Sequence, residues 1–289
     1  MITRLALRST LATLVALSAT LAQAQTIFST GFEAPGYSAT ATSTVFNPYT
    51  GGTFTTSPGA IHNAGWETLF TPGTNAQQAV NYPNALNASQ IQTATVRTGS
   101  QALRSDGAVA QQTIFGTATG IGVSTSTGIL DLSFDMLVTA PSAQTGQWGL
   151  SVFDQGLREI ASLGFYGGFL VGGSGATTYG LASPTAVGYN NWANYGLRVN
   201  FSAKTMSILL NGTPISTLQN LPLRNDINFT ARTGYLGLGG QAPLGAAYTT
   251  TPERAFFDNV TASTAPEPGT LALLSLGGTL VVLRRRRTR

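Results

Sequence analysis

Leu130-Asp131-Leu132-Ser133-Phe134-Asp135-Met136-Leu137-Val138 alternates apolar and polar side chains almost without a break. Successive side chains of a strand point to opposite faces. Leu130, Leu132, Phe134, Met136 and Val138 therefore share one face, and Asp131, Ser133 and Asp135 the other. A second stretch has the same period: Tyr195, Leu197, Val199 and Phe201 alternate with Asn194, Gly196, Arg198 and Asn200. Met206, Ile208 and Leu210 form another strand, which runs into Asn211-Gly212. Both residues tolerate positive φ, so the pair predicts a two-residue hairpin turn. Trp148, Leu150 and Val152 give a fourth strand, and Phe256 to Val260 a last one. No stretch carries the 3.6-residue period of an amphipathic helix. Many short alternating strands with Gly-rich turns predict an all-β sandwich or barrel. The expected domain covers residues 25–262, within the size range of one all-β domain.

Composition narrows the setting. Charged residues make up 9% of the 289 positions, so Ser, Thr, Asn, Gln and Gly must cover the surface, as suits an extracellular β protein. Arg4 and Arg8 lie near the N-terminus, and Arg284–Arg287 with Arg289 at the C-terminus. Without these the middle is slightly acidic, so the formal charge of +4 reports the two ends and does not point to nucleic acid. There is no cysteine, which excludes disulfides, thiol nucleophiles and thiolate metal sites.

The ends read as targeting segments. Residues 1–24 have a basic start, an apolar stretch from Leu11 to Leu21, and Ala22-Gln23-Ala24 as a small-x-small cleavage site. The mature chain is expected to begin at Gln25, after cleavage at Ala24. Residues 263–289 hold Ala265-Pro266-Glu267-Pro268-Gly269, an apolar run from Thr270 to Leu283, and the arginine cluster. As a helix this run reaches roughly 21 Å, short of a ~30 Å hydrocarbon core unless the arginines snorkel. The expectation is a single membrane helix with its arginines on the cytoplasmic side.

The order Pro266-Glu267-Pro268, apolar helix, arginine cluster, stop resembles the PEP-CTERM sorting signal of Gram-negative bacteria. The resemblance implies recognition by an exosortase, cleavage near Pro266-Glu267-Pro268, passage through the inner membrane, and delivery to the cell surface or an exopolysaccharide matrix. The strand and hairpin from Tyr195 to Ile215 look like those of concanavalin A-like and laminin G-like jelly rolls. Gly31-Phe32-Glu33 near the start, Thr98-Gly99-Ser100-Gln101-Ala102-Leu103, and Phe257-Asp258-Asn259-Val260 at the end resemble jelly-roll carbohydrate-binding modules. That resemblance implies a structural calcium ion held by Glu33 and Asp258. Asp258 shares parity with Phe256 and Val260, which directs it toward the core, where a carboxylate needs a cation or several donors. The competing expectation pairs Asp258 with an arginine such as Arg104, or makes it a turn cap, and leaves Glu33 solvated.

Catalytic chemistry has few candidates. His62 is the only histidine and reads as a loop or core residue. Asp131 and Asp135 lie roughly 13 Å apart along one strand, too far for either glycosidase geometry, and read as a solvated face. Gly167-Gly168 and Gly172-Gly173-Ser174-Gly175 lack the lysine and helix of a phosphate loop and read as hairpin tips or loops. The aromatic and polar cluster Tyr189, Asn190, Asn191 and Trp192 is the best ligand candidate, since sugar-binding sandwiches stack pyranose faces on aromatic rings. Tyr189, Asn191 and Trp192 are the expected sugar contacts. The expected function is an exported, non-enzymatic surface or matrix protein that binds polysaccharide. A purely structural matrix or adhesion component is the first alternative, and a glycan-active enzyme the second.

Overall fold

The computed structural model describes residues 25–47, 50–64, 66–69, 89–106, 109–113, 128–140, 146–154, 158–181, 185–226, 233–241 and 254–265. Two antiparallel sheets enclose one core, as the alternation predicts. In the first, nine-stranded sheet the order is β16 (Thr213–Pro214), β15 (Thr205–Leu210), β14 (Ala193–Asn200), β8 (Ile129–Val138), β19 (Ala255–Ala265), β6 (Ala102–Ser105) and β5 (Ser89–Gln92). β1 (Gln25–Thr30) also pairs with β19, and β17 (Leu221–Pro222) with β15. The second, eight-stranded sheet runs β12 (Thr177–Tyr179), β11 (Phe169–Ser174), β10 (Glu159–Tyr166), β9 (Gln147–Asp154), β18 (Thr233–Gln241), β7 (Val109–Thr113) and β4 (Glu67–Leu69), with β13 (Thr185–Ala186) on β11. A separate ribbon joins β2 (Thr44–Phe46) and β3 (Thr53–Thr55). The fold is a β-sandwich of jelly-roll type. Among the described residues, the helical segments are two short 3-10 turns, Ile61–Ala64 and Ser216–Leu218.

The core is built from the faces the alternation assigns. Leu130, Leu132, Phe134, Met136 and Val138 are buried, as are Tyr195, Leu197, Val199 and Phe201 on the neighbouring strand. They meet Trp148, Leu150, Val152, Leu163, Phe165, Leu236 and Leu238 from the other sheet. Burial pushes the Tyr195 hydroxyl up to about 12. Asn211 (φ 50°) and Gly212 (φ 77°) make the expected turn between β15 and β16.

Three expectations are corrected. Gly172, Gly173 and Ser174 lie inside β11, not in a loop; Gly172 is in place because a Cβ there would press on Ile208 and Met206 across the core. The domain's last strand runs on to Ala265, beyond the expected boundary at 262. The parity of that strand also differs. Phe257, opposite Met136, faces the core and packs on Phe134 at 6.0 Å. The register then shifts between Asp258 and Thr261, around Asn259 at φ 48°. A bulge of this kind inserts a residue and re-aims the strand, so Val260 and Ala262 become the core residues after it. Asp258 therefore points to the outer face, opposite Asp135 of β8.

Candidate functional site

Three segments meet over that outer face. Asp258 has 0% exposure, because the loop 97–101 covers it. Its Oδ2 accepts from the Arg97 and Thr98 amides at 3.2 and 2.9 Å, and its Oδ1 from the Asn259 amide at 2.7 Å. Glu33 grips the other end of the same loop. Its Oε1 accepts from the Ser100 and Gln101 amides at 2.9 and 3.1 Å, and its Oε2 from the Ser100 hydroxyl at 2.7 Å. Between these contacts lies Gly99 at φ +69°, where a Cβ would stand 2.1 Å from Glu33 Oε1. The two carboxylates that the sequence set at opposite ends of the domain thus hold one loop between them. Glu33 is not simply solvated, and Arg104 pairs with Asp106 at 2.8 Å rather than with Asp258.

Charge at this corner is uneven. Asp135, expected on a solvated face, is 8% exposed. It accepts from Asn194 Nδ2 at 3.0 Å and Asn259 Nδ2 at 2.8 Å, with Arg97 Nε at 3.8 Å. Burial pushes the Asp258 carboxyl up, against the pull of the Thr98, Asn259 and Arg97 amides, and the neighbouring Asp135 adds to the rise. The Ser100 hydroxyl and amide hold Glu33 below its ordinary range. Calcium takes six to eight oxygen ligands. Every carboxylate oxygen of Glu33 and Asp258 already faces an N–H or O–H donor, and among the described residues no three acidic or histidine side chains lie at ligand spacing. As arranged, the pair serves the loop, and a shared ion would have to compete with those donors.

The Tyr189–Trp192 segment ties the two sheets together. Val187 N donates to Gly168 O of the second sheet, and Asn190 N to Val138 O of the first, both at 2.8 Å. Tyr189 is half-buried, edge-on to Phe165 at 4.9 Å and against the Gly167-Gly168 turn. Asn191 is exposed and donates to Tyr189 O at 3.0 Å; Trp192 is half-buried. Sequence reading missed the more exposed aromatics beside them. Tyr166 and Phe169 flank the Gly167-Gly168 turn, directly opposite each other across β10 and β11. They are 47% and 40% exposed and stand on the outer face, since Phe165 and Leu170 next to them face the core. The only signal available was an aromatic on either side of a Gly-Gly turn.

Other charged groups are paired. Asp131 takes a two-pronged contact from Arg198, at 2.6 and 3.0 Å. Asp154, 1% exposed, is held by Arg158. Glu159 accepts from the Ser162 and Ser151 hydroxyls at 3.1 and 3.3 Å. Burial pushes its carboxyl above the ordinary 4.5, opposed by those hydroxyls. A raised folded-state value means that the native form holds the proton more tightly. That contribution is present below pH 4.5 and is lost as pH rises through the raised value. Glu159→Gln is therefore expected to gain in melting temperature over the parent chain between pH 4.5 and neutrality; parallel curves across that range would contradict the burial argument.

β19 ends at Ala265, and the Pro266-Glu267-Pro268 segment follows at once. Its neighbours in sequence decide what it is. Residues 264–287 match the PEP-CTERM protein-sorting motif. The PEP-CTERM motif marks an exported protein that is membrane-anchored before release and is processed by an exosortase. Ala24, Pro266, Glu267 and Pro268 lie outside the described residues, as do the leader and the apolar run; among the described residues no helix is long and apolar enough to cross a membrane. No curated protein matches the chain. Among solved structures, a cellulose-induced protein is 14% identical over 60% of this chain and 84% of its own, with a TM-score of 0.44. Trypanosoma rangeli sialidase is 13% identical over 66% of this chain and 30% of its own, with a TM-score of 0.43. A botulinum neurotoxin type C structure is 14% identical over 64% of this chain and 45% of its own, with a TM-score of 0.42. The chain thus spans less than half the length of the last two, and likenesses this distant say nothing of ligand or activity.

Proposed function

We propose that the sandwich is a non-enzymatic surface or matrix module that holds polysaccharide on the aromatic tip of the β10–β11 hairpin. The observation that carries this reading is the exposed cross-strand pair Tyr166 and Phe169. Two rings side by side on a rigid hairpin offer adjacent apolar plates for the C–H faces of successive sugar rings. Tyr189 supports the tip from the core side, while Asn191 and Trp192 belong to the segment that anchors it and supply polar groups beside it. Delivery to the cell surface or to an exopolysaccharide matrix, following exosortase processing, completes the proposal.

Affinity electrophoresis against neutral and acidic polysaccharides tests it. The chain is expected to be retarded, and the double variant Tyr166→Ala/Phe169→Ala to lose about tenfold or more in affinity at roughly 1 kcal/mol per stacked ring. Its melting temperature should fall only modestly, because both residues are close to half exposed and make one cross-strand pair. Migration of the parent chain unaffected by every polysaccharide would favour a purely structural matrix component. Turnover of a glycan would favour the enzyme reading, for which the described residues offer no carboxylate pair free of other duties. We also propose that a calcium ion at the Glu33–Asp258 corner, which the resemblance implies, would stabilise the domain, with the loop 97–101 donors giving way to the ion.

A further inference from the structure

A cleft of about 370 Å³ opens where the edges of the two sheets meet, between β12 on one side and β17 with residues 223–226 on the other. Nothing in the polysaccharide reading uses it. Its polar wall is fixed in place. Arg224 presents its guanidinium edge to Asp226 with two contacts, Nε to Oδ1 at 2.5 Å and Nη2 to Oδ2. Its Nη1 donates to Glu159 O at 3.3 Å, and its amide donates to Ser174 Oγ at 2.7 Å. That hydroxyl in turn donates to Ile160 O at 2.6 Å. The guanidinium lies flat over Gly175, where a Cβ would come within 2.9 Å of Cζ. On the facing side, the Tyr179 hydroxyl donates to Pro222 O at 2.7 Å, which fixes the ring as a wall that spans the two sheets. Thr177 and Asn225 are exposed at the mouth, and the Asp226 side chain is 63% exposed.

The chemistry of this lining selects its ligand. Arg224 and Asp226 cancel in charge, so neither an anion nor a cation finds an unmatched partner. What remains is a set of donors and acceptors in mixed order: the Asp226 oxygens accept, the outer guanidinium hydrogens donate, and Thr177 and Asn225 do both. Vicinal hydroxyl groups, each donor and acceptor at once, complement such a wall. The volume sits at the low end of the roughly 300–1,000 Å³ of small-molecule sites, enough for one sugar ring and not for a chain. We propose that the cleft binds a single neutral pyranose, free or as the terminal unit of a glycan, through Arg224, Asn225 and Asp226 against the Tyr179 wall.

The full chain should be titrated with glucose, galactose, mannose and N-acetylglucosamine, and with glucuronate, using ligand-observed saturation-transfer NMR. At least one neutral sugar is expected to bind in the millimolar range, and glucuronate not to bind. Asn225→Ala should weaken the neutral sugar by about tenfold, the loss of one good hydrogen bond. Asp226→Asn should weaken it likewise and admit glucuronate, because Arg224 then loses its counter-charge. Tyr166→Ala/Phe169→Ala should leave all of this unchanged, which separates the cleft from the hairpin tip. Absence of binding by every neutral sugar, equal binding of glucuronate by the parent chain, or indifference to both Asn225→Ala and Asp226→Asn would overturn the assignment.

Discussion

Asp258→Ala is expected to destabilise the chain by about 3 kcal/mol and to lower its melting temperature by on the order of 10 °C. The substitution strands the Arg97, Thr98 and Asn259 amides, which now converge on one buried carboxylate. Each buried N–H left without an acceptor costs roughly 1–3 kcal/mol. Relief of the repulsion from Asp135 and of the cost of burying Asp258 offsets part of this. Asp258→Asn keeps one acceptor oxygen and removes the charge, so it should lose less than half as much. The same melting series settles the ion. If calcium joins Glu33 and Asp258, it stabilises the parent by RT ln(1 + [Ca]/Kd), about 2.7 kcal/mol at a hundredfold excess, which raises its melting temperature, and it has no effect on Asp258→Ala. Identical parent curves in calcium and in chelator would assign both carboxylates to the loop alone.

Trp148→Ala should cost about 3–5 kcal/mol, the range for emptying a large aromatic site in a core. The indole has 0% exposure and lies between the sheets, opposite Phe165 and Gly240 in its own sheet. A Cβ at Gly240 would stand 2.3 Å from its Cε3, so the ring rests directly on glycine backbone. Its Nε1 is buried and has no hydrogen-bond partner among the described residues. Trp148→Phe removes that stranded donor while keeping most of the ring, and should cost less than about 1.5 kcal/mol, as volume-sparing swaps do. Chemical denaturation of the three chains measures both values, and a Phe variant as unstable as the Ala variant would show that indole shape, not bulk, holds the site.

The strands were legible because period-two alternation is a local property. Residues 130–138 and 195–201 needed only their own pattern to name the core face, and Asn211-Gly212 needed only its tolerance of positive φ. Asp258 was misassigned because parity counting assumes an unbroken strand, and the bulge at Asn259 resets the count; the asparagine was the only local trace of it. Alternation correctly put Asp135 on the outer face but could not show that loop 97–101 would cover it. That loop reaches Asp258 across a separation of 161 residues, beyond any pattern in the chain. Glu33 and Asp258 were paired in advance by resemblance, whereas their use as clamps on amide groups follows only from geometry. The Arg224–Asp226 cleft escaped notice for the same reason, since Tyr179 and Gly175 meet it from a distant strand and turn.

The pairing of β1 with β19 has a kinetic meaning. Gln25 lies opposite Thr264, so the first residue expected after leader cleavage is hydrogen-bonded beside the start of the sorting motif. β19 also sits between β8 and β6, so the first sheet lacks an inner strand until the last part of the chain arrives. Loop closure over such a span must precede the contacts that reward it, which makes the topology slow to fold. A secretory channel passes chain that has not yet folded. The order of residues thus leaves the first sheet to be closed by the last strand of the domain, and it sets Gln25 beside the strand that runs into the sorting motif.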